Sequence, residues 1–177
     1  MTIMALLSSE RLSLRALEPE DLDFLYRWEN DSSIWGEGSM IPPFSRYDLK
    51  NYIANAADIF TSRELRLIVE ENASRRQVGV VDLFDFEPIA QRVELGILID
   101  EAVRGRGYAK ETLEMVVRYV FDYLRCHQIM AKVNAKNEPS LKLFQEMNFT
   151  QAGKLTDWVR DGDDWSDCVL FQLVNGK

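Results

Sequence analysis

Histidine and cysteine are scarce in this sequence, and their scarcity excludes several kinds of site. The 177 residues include one histidine, His127, and two cysteines, Cys126 and Cys168, which form no CxxC pair. A disulfide framework and a metal site built from several histidines are therefore excluded, and no metal is expected. Nothing around His127 suggests the nucleophile of a catalytic triad.

Long apolar runs and an excess of positive charge are missing as well. No hydrophobic stretch approaches the length that crosses a bilayer, and the first residues lack the basic start of a signal peptide. The formal net charge is −8, which argues against nucleic acid or an anionic membrane as a partner and is compatible with a cationic ligand. Together with reduced cysteines, these features predict a cytoplasmic protein.

The length and the hydrophobic pattern predict one domain over residues 1–177. Alternating and β-branched residues predict strands at 10–17, 64–71, 78–86, 91–100, 128–134, 149–159 and 167–174. Helical spacing and helix-start signals predict helices at 19–30, 45–58, 109–124 and 139–147. The order indicates a mixed α+β fold on one central sheet, in which strand 128–134 runs parallel to strand 91–100 because a helix connects them.

A glycine-rich loop at residues 104–109 (RGRGYA) joins a predicted strand to the longest predicted helix. Such a loop offers backbone N–H groups and the positive end of a helix dipole, which suit a pyrophosphate. A plain turn at a helix start is one alternative. A Rossmann fingerprint fits poorly because Lys110 replaces its third glycine, and a P-loop is excluded because no GxxxxGK[ST] occurs.

The pattern Arg104-x-x-Gly107-x-Ala109, after the strand sequence VELGILI, resembles the acetyl-coenzyme-A signature of the GNAT N-acetyltransferases. Three further segments resemble the branch that contains ribosomal-protein-alanine and spermidine acetyltransferases: residues 10–31, 137–149 and 157–171. The resemblance covers about residues 10–174. It implies the GNAT fold, with a mostly antiparallel sheet, one splayed parallel strand pair and flanking helices.

The resemblance implies acetyl-CoA as the cofactor and CoA as the product. The loop amides would bind its pyrophosphate, and the strand before the loop would bind the pantetheine, with the Ile97 amide as an oxyanion donor. Asn137 also fits a helix N-cap, and the two roles are compatible. The implied cofactor-binding residues are Ile97, Leu98, Ile99, Arg104, Gly105, Arg106, Gly107, Tyr108, Ala109, Asn137, Ser140 and Phe144.

The resemblance further implies transfer of the acetyl group to a primary amine by direct attack in a ternary complex. Because such amines are mostly protonated at neutral pH, a carboxylate must accept a proton. Glu94 matches a glutamate of relatives and is the expected base, on the strand face opposite Val93; the alternative is an exposed carboxylate without a chemical role. Candidate acceptor-binding residues are Glu29, Trp35 and Glu37, with solvated surface charge as the alternative for both glutamates.

Phe144 departs from the family pattern, since many relatives have a tyrosine there that protonates the leaving thiolate. Tyr108 and Tyr119 carry the hydroxyl that could replace this acid, but nothing except their residue type suggests that role. Asn148 replaces a glycine after the same helix and suits a left-handed cap.

Two functions therefore stay open: an N-acetyltransferase for a cationic amine (a polyamine, a basic small molecule or a protein N-terminus), or a CoA-binding regulatory module. The intact Gly105 and Gly107 argue against a structural domain without cofactor. Relatives occur as monomers, dimers and larger rings, so a homodimer is one assembly that the resemblance allows.

Overall fold

A computed structural model describes residues 6–31, 43–56 and 58–176, and within these residues seven strands form one sheet. The strands are β1 (Leu12–Ala16), β2 (Leu65–Glu71), β3 (Gln77–Glu87), β4 (Arg92–Ile99), β5 (Gln128–Asn134), β6 (Thr150–Asp161) and β7 (Asp164–Val174). Their order in the sheet is β1-β2-β3-β4-β5-β7-β6. Every neighbouring pair is antiparallel except β4–β5, which confirms the predicted mixed class and its one parallel pair.

The described helices are α1 (Leu22–Glu29), α2 (Arg46–Ala54), α3 (Ile59–Ser62), α4 (Tyr108–Arg118) and α5 (Glu138–Glu146). Short 3₁₀ turns at Pro19–Asp21 and Glu101–Val103 precede α1 and α4. Side-chain caps set several of the starts: the Ser45 hydroxyl accepts from the Asp48 N–H of α2, and Asp58 caps α3. Each cap satisfies a backbone donor that the helix itself leaves unpaired.

Three element boundaries differ from the sequence-based expectations. The helix expected to reach residue 58 ends at Ala54, and α3 follows as a separate four-residue helix. The helix expected over 109–124 is α-helical to Arg118 and continues as a π-helix over Tyr119–Tyr123. The two strands of the last hairpin extend further toward each other than expected, to Asp161 and from Asp164, around a two-residue turn in which Gly162 has a φ of 64°.

Helices cover both faces of the sheet. One face, with alternate residues such as Val81 and Leu95, packs against α4 and α5 in the larger apolar core. The opposite face presents Ile68 and Val80 to α1 and α2 in a smaller core. Since strand side chains alternate between faces, this two-sided burial explains the runs of apolar residues in the central strands. Over the described residues, no helix is long and apolar enough to cross a membrane.

The parallel pair β4–β5 separates soon after it begins, and this separation positions the site. Residues 92–94 pair with residues 128–130, whereas residues 95–99 have no partner on β5. β5 meanwhile stays paired with β7 as far as Asn134↔Cys168. The two strands therefore diverge toward their carboxyl ends and open a cleft, as the family resemblance implied.

Candidate active site

The loop between β4 and α4 presents open backbone at a helix N-terminus. Gly105 and Gly107 have φ angles of 79° and 80°, in the left-handed region that favours glycine. A Cβ built at Gly105 would meet no heavy atom within 4 Å. Gly107 is the N-cap of α4 and supplies no side-chain cap, so the first N–H groups of α4 remain available to an anion.

This loop forms one wall of a cleft of about 880 Å³, which we name the loop cleft. The predicted cofactor-binding residues that line it are Ile97, Leu98, Ile99, Arg104, Gly105, Gly107, Tyr108, Ala109, Asn137 and Ser140. Arg106 and Phe144 are absent from this described lining. The Arg106 carbonyl instead accepts a hydrogen bond from Arg11 (Nη1–O 3.1 Å), and Phe144 lines a neighbouring cavity.

The backbone of β4 faces the loop cleft at alternate residues. The Asp100 N–H donates to the Val78 carbonyl (N–O 2.9 Å), and a Cβ on Gly79 would lie 2.6 Å from the Leu98 carbonyl oxygen. Leu98 therefore directs its carbonyl toward β3, so the expectation that it offers backbone to the pantetheine needs correction. Because strand backbone groups alternate in direction, the amides of Ile97 and Ile99 face the cleft.

Asn137 is the N-cap of α5, as one of its two predicted roles required. Its Oδ1 accepts a hydrogen bond from the Ser140 N–H (N–O 3.1 Å). This bond fixes the start of α5 at the wall of the loop cleft, and it leaves the Asn137 amide nitrogen for other partners.

A second cavity of about 540 Å³ adjoins the loop cleft, and we name it the carboxylate chamber after Glu29, Asp82 and Glu94 in its lining. α1, β2, β3, β4 and β5 all contribute side chains to it. The two cavities share the residues Ile97, Leu98, Asn134, Asn137 and Ser140. A ligand that fills the loop cleft would therefore meet the chamber at the divergence of β4 and β5.

Glu94 points into the carboxylate chamber and is only 7% exposed. The Lys132 ammonium lies 3.1 Å from its Oε1, to which it donates, and 3.0 Å from its Oε2. Within the described residues, no group donates a well-aligned hydrogen bond to Oε2. Glu94 lies opposite the core face of Val93, as expected, but the alternative of an exposed strand carboxylate is wrong.

Glu29 is buried at the end of α1 and forms an ion pair with Arg66 of β2. Arg66 also clasps Asp82 through Nε–Oδ1 (2.6 Å) and Nη2–Oδ2 (2.8 Å). Burial alone would lower the pKa of Arg66, but the hydrogen bonds and charge of Asp82 and Glu29 raise it above its ordinary value. Glu29 is therefore not a solvated surface charge. The candidates Trp35 and Glu37 lie outside the described residues.

No tyrosine hydroxyl from Tyr108 or Tyr119 reaches the described lining of the carboxylate chamber. Phe144 lines it and packs edge-on against Phe149, with ring centroids 5.0 Å apart. The Tyr108 hydroxyl donates to Glu71, and this hydrogen bond raises the pKa of Tyr108. Tyr119 lies in the core, where burial raises its pKa to about 12. Neither tyrosine therefore lies in the described chamber, and Tyr108 lines the loop cleft instead.

Sequence reasoning missed Lys132 and Arg66. Glu94 pairs with Met130, so Lys132, two residues further along β5, lies on the same sheet face. A register between the two strands, inferred from their apolar residues, would have placed the lysine beside Glu94. Arg66 was missed in the same way, because it lies directly opposite Asp82 in the pairing of β2 with β3, whereas its other partner, Glu29, is on α1.

The chain matches known acetyltransferases over most of its length. The model of the family described as the acetyltransferase (GNAT) domain matches residues 11–150. Spermidine N(1)-acetyltransferase of Vibrio cholerae is 29% identical over 172 residues, which are 96% of this chain and 96% of the relative. The spermidine N(1)-acetyltransferase of Escherichia coli is 25% identical over 153 residues, or 84% of this chain and 77% of the relative.

Solved structures show the same fold. The crystal structure of spermidine N-acetyltransferase from Vibrio cholerae in complex with CoA and spermine matches with a TM-score of 0.86 and 25% identity, covering 94% of this chain and 96% of that one. Ribosomal-protein-S5-alanine acetyltransferase from Vibrio fischeri matches with a TM-score of 0.84 at 16% identity, covering 96% of both chains, and supports the fold alone. Because the family match spans more than half of the sequence, the protein belongs to the GNAT family of N-acetyltransferases and uses acetyl-CoA as its acyl donor.

Proposed function

We propose that the protein transfers the acetyl group of acetyl-CoA to a primary amine that carries positive charge, by direct attack in a ternary complex. The observation that carries this proposal is Glu94, a buried carboxylate beside the divergence of β4 and β5 that lines the cavity next to the loop cleft. A general base must lie within hydrogen-bond reach of the proton that it removes. Because the carboxylate chamber adjoins the loop cleft, an amine bound in the chamber would lie between Glu94 and the coenzyme.

The residues of the loop cleft fit the coenzyme. The loop amides around Gly105 and Gly107 would hold the pyrophosphate, because they are accessible and lie at the positive end of α4. The Ile97 and Ile99 amides would bind the pantetheine, and that of Ile97 would polarise the thioester carbonyl. When bound, acetyl-CoA supplies an activated acetyl thioester.

Glu94 would accept a proton from the ammonium form of the acceptor, since only the neutral amine attacks a carbonyl carbon. With phenylalanine at position 144, the thiolate would leave without help from a tyrosine. Glu29 would act differently from Glu94: its pairing with Arg66 makes it part of the chamber wall.

Charge in the carboxylate chamber favours a cationic acceptor. Three carboxylates face two cations, Arg66 and Lys132, in the described lining. The two relatives that are spermidine acetyltransferases support a polyamine as the first candidate. A basic small molecule and a protein N-terminus are the other acceptors of the same chemistry.

A CoA-binding module without turnover is the second candidate, and Phe144 is the observation that favours it. The deciding experiment measures free-thiol release from acetyl-CoA with spermidine, aminoglycosides, amino acids and N-terminal ribosomal peptides. Release with one class identifies the acceptor and supports the enzyme. CoA binding without release from any of them favours the module.

The pyrophosphate site has its own test in Gly107→Glu, with Gly107→Ala as the matched control. Both variants impose a side chain on a residue at φ 80°, but only glutamate adds a negative charge where the phosphates would lie. Calorimetric titration with CoA should detect no binding to the glutamate variant and weakened binding to the alanine variant. Equal affinity in wild type and Gly107→Glu would remove the assignment.

We further propose that residues 1–177 act as one cytoplasmic domain. In support, all seven described strands share one sheet, and both cysteines are buried and unpaired. Burial raises the pKa of Cys126 to about 11, which keeps the thiol unreactive at neutral pH. One structure of the Vibrio cholerae relative is dodecameric. Light scattering would show whether this chain forms a homodimer or a larger assembly.

A further inference from the structure

Lys132 reaches across the diverging strands to the carboxylate of Glu94. It lies on β5 two residues beyond Met130, which is the last β5 residue paired with β4. Its Nζ lies 3.1 Å from Oε1 and 3.0 Å from Oε2 of Glu94. The lysine thus brings a primary amine into the carboxylate chamber, next to the residues that this chamber shares with the loop cleft.

The Lys132 nitrogen lies at the distance from Glu94 that a general base requires. A general base works on a proton whose heavy atom lies about 2.6–3.2 Å away, and both distances from Glu94 to Nζ meet this requirement. Arg66 is the other cation in the described lining. It cannot act as the acetyl acceptor, because a guanidinium stays charged in proteins. Asp82 and Glu29 also hold it in place.

Stability alone gives a weak reason for this ion pair. The Lys132 side chain is 40% exposed, and ion pairs with one such partner add little to the free energy of unfolding. The Lys132 ammonium contacts both Glu94 oxygens, but one partly exposed cation offsets only part of the free-energy cost of burying a carboxylate.

We propose that Lys132 is a self-acetylation site: with acetyl-CoA bound and no external amine present, the enzyme acetylates the Lys132 Nζ. This inference rests on the proposed function of the same site. Glu94 removes a proton from the ammonium, a bond forms between Nζ and the acetyl carbonyl carbon, and the carbon–sulfur bond breaks. Of the two protons that the nitrogen gives up, one ends on the CoA thiol and the other in solvent, so an amide replaces the ammonium and no other reactant is needed.

External acceptors and Lys132 would compete for the same carboxylate. An amine that binds at Glu94 must displace the Lys132 ammonium, and an acetylated Lys132 no longer carries the charge that pairs with Glu94. An external amine that the enzyme uses should therefore protect Lys132 from acetylation. Prior acetylation should in turn alter the rate with external amines.

The test incubates the purified full-length protein with acetyl-CoA alone and follows intact mass and peptide maps. The expected product is one added acetyl group, about 42 Da, on Lys132, formed with a first-order rate constant that does not depend on protein concentration, because the transfer is intramolecular. Lys136 and Lys142 are the matched controls. They line the loop cleft and are 58% and 78% exposed, but neither contacts Glu94 in the described structure. Non-enzymatic acetylation would modify these two first.

Two variants complete the test. Glu94→Gln keeps Lys132 and removes its base, so the rate of Lys132 acetylation should fall about a hundredfold or more, with an unchanged thermal midpoint as the check on folding. Lys132→Arg keeps the positive charge and should abolish the single modification. Spermidine, or whichever amine of the panel gives the fastest thiol release, should slow the modification of the wild-type protein.

The inference is overturned if Lys136 or Lys142 gains acetyl groups before Lys132, or if Glu94→Gln leaves the rate at Lys132 unchanged. Thiol release with an external amine while Lys132 stays unmodified would overturn the inference and leave the proposed function intact. Binding of acetyl-CoA with acetylation of neither Lys132 nor any external amine would overturn both.

Discussion

Two buried carboxylates of this protein, Asp21 and Glu94, are held in opposite ways. Asp21 is fully buried beneath β1 and accepts two hydrogen bonds from Arg15 (2.7 and 2.8 Å) and one from the Glu18 N–H (2.9 Å). Glu94 is nearly as buried, yet its one described partner is the half-exposed Lys132 ammonium. The first carboxylate accepts hydrogen bonds from several groups, including a backbone N–H, whereas the second depends on one lysine ammonium that contacts both of its oxygens.

We propose that this difference separates a structural carboxylate, Asp21, from a catalytic one, Glu94. Burial alone raises the pKa of Asp21, but hydrogen bonds from Arg15 and from the Glu18 backbone lower it more, so that it lies below its ordinary value. Asp21 is therefore held in its charged form and is a poor proton acceptor. Glu94 faces a cavity and one half-exposed cation, Lys132, and it is the carboxylate that we propose as the general base.

Replacing Glu94 by glutamine should have the largest effect on catalysis. The change keeps the shape of the side chain and removes the base, so kcat with a cationic amine should fall by about 10²–10⁴-fold. The free energy of unfolding should change by less than about 1 kcal/mol, because Lys132 can turn to solvent. Thiol release and urea denaturation measure the two quantities.

The control for Glu94→Gln is Asp85→Asn, which removes a negative charge from an exposed pair with Arg92 outside the chamber lining. It should leave kcat unchanged. If both variants lose activity equally, net charge and not the base is responsible.

Asp21→Asn should have the largest effect on stability and almost none on catalysis. Removing the charge leaves Arg15 partly unpaired beside a buried amide, and loss of one partner of a buried pair costs about 3–5 kcal/mol. Urea denaturation at pH 7 measures this loss. Asp23→Asn, which removes a partner of Arg46 at a position 81% exposed, is the matched control and should leave the unfolding midpoint in place. A stable Asp21→Asn protein would show that the contrast with Glu94 is only apparent.

The loss of folding stability at acid pH should depend on Asp21 as well. Because its pKa is lower in the folded state than in the unfolded chain, its contribution is complete above about pH 4, the ordinary range for Asp. The contribution is lost as the pH falls through the lower folded pKa. The urea midpoint should fall between pH 5 and pH 3 less steeply in Asp21→Asn than in wild type, and parallel curves would contradict this assignment.

Much of the fold follows from local patterns in the sequence. Alternating residues located every strand, and the connection through α4 required β5 to run parallel to β4. Asn148, expected in a left-handed cap, has a φ of 62°. The four-residue helix α3 was not predicted, because it spans barely one helical turn and so shows no repeating apolar pattern. The π-helical end of the long helix was missed because an apolar stripe does not distinguish α from π hydrogen bonding.

The candidate site was harder to predict from the sequence than the fold, because the ion pairs of the site join residues that are distant in the sequence. The sequence placed Glu94 on the correct face of β4, but its ion-pair partner Lys132 is 38 residues away. Arg66 joins Glu29 and Asp82 from three different elements. Local spacing predicts which face a side chain takes, whereas the partner that neutralises it follows from strand register.

Phe144→Tyr should give the smallest effect and tests whether the chamber lacks a proton donor. Phe144 packs against Phe149 and Phe171, with ring centroids 5.0 and 5.7 Å apart, and it lines the chamber. A hydroxyl there could protonate the leaving thiolate, but a thiol of ordinary pKa, about 8.5, already leaves readily. The rise in kcat should therefore stay within about tenfold, below the usual range for acid catalysis. Phe149→Tyr is the control, because it adds a hydroxyl to the same aromatic cluster outside the described chamber lining. It should leave kcat unchanged. An equal change in kcat in both variants would mean that altered packing, and not proton donation, is responsible.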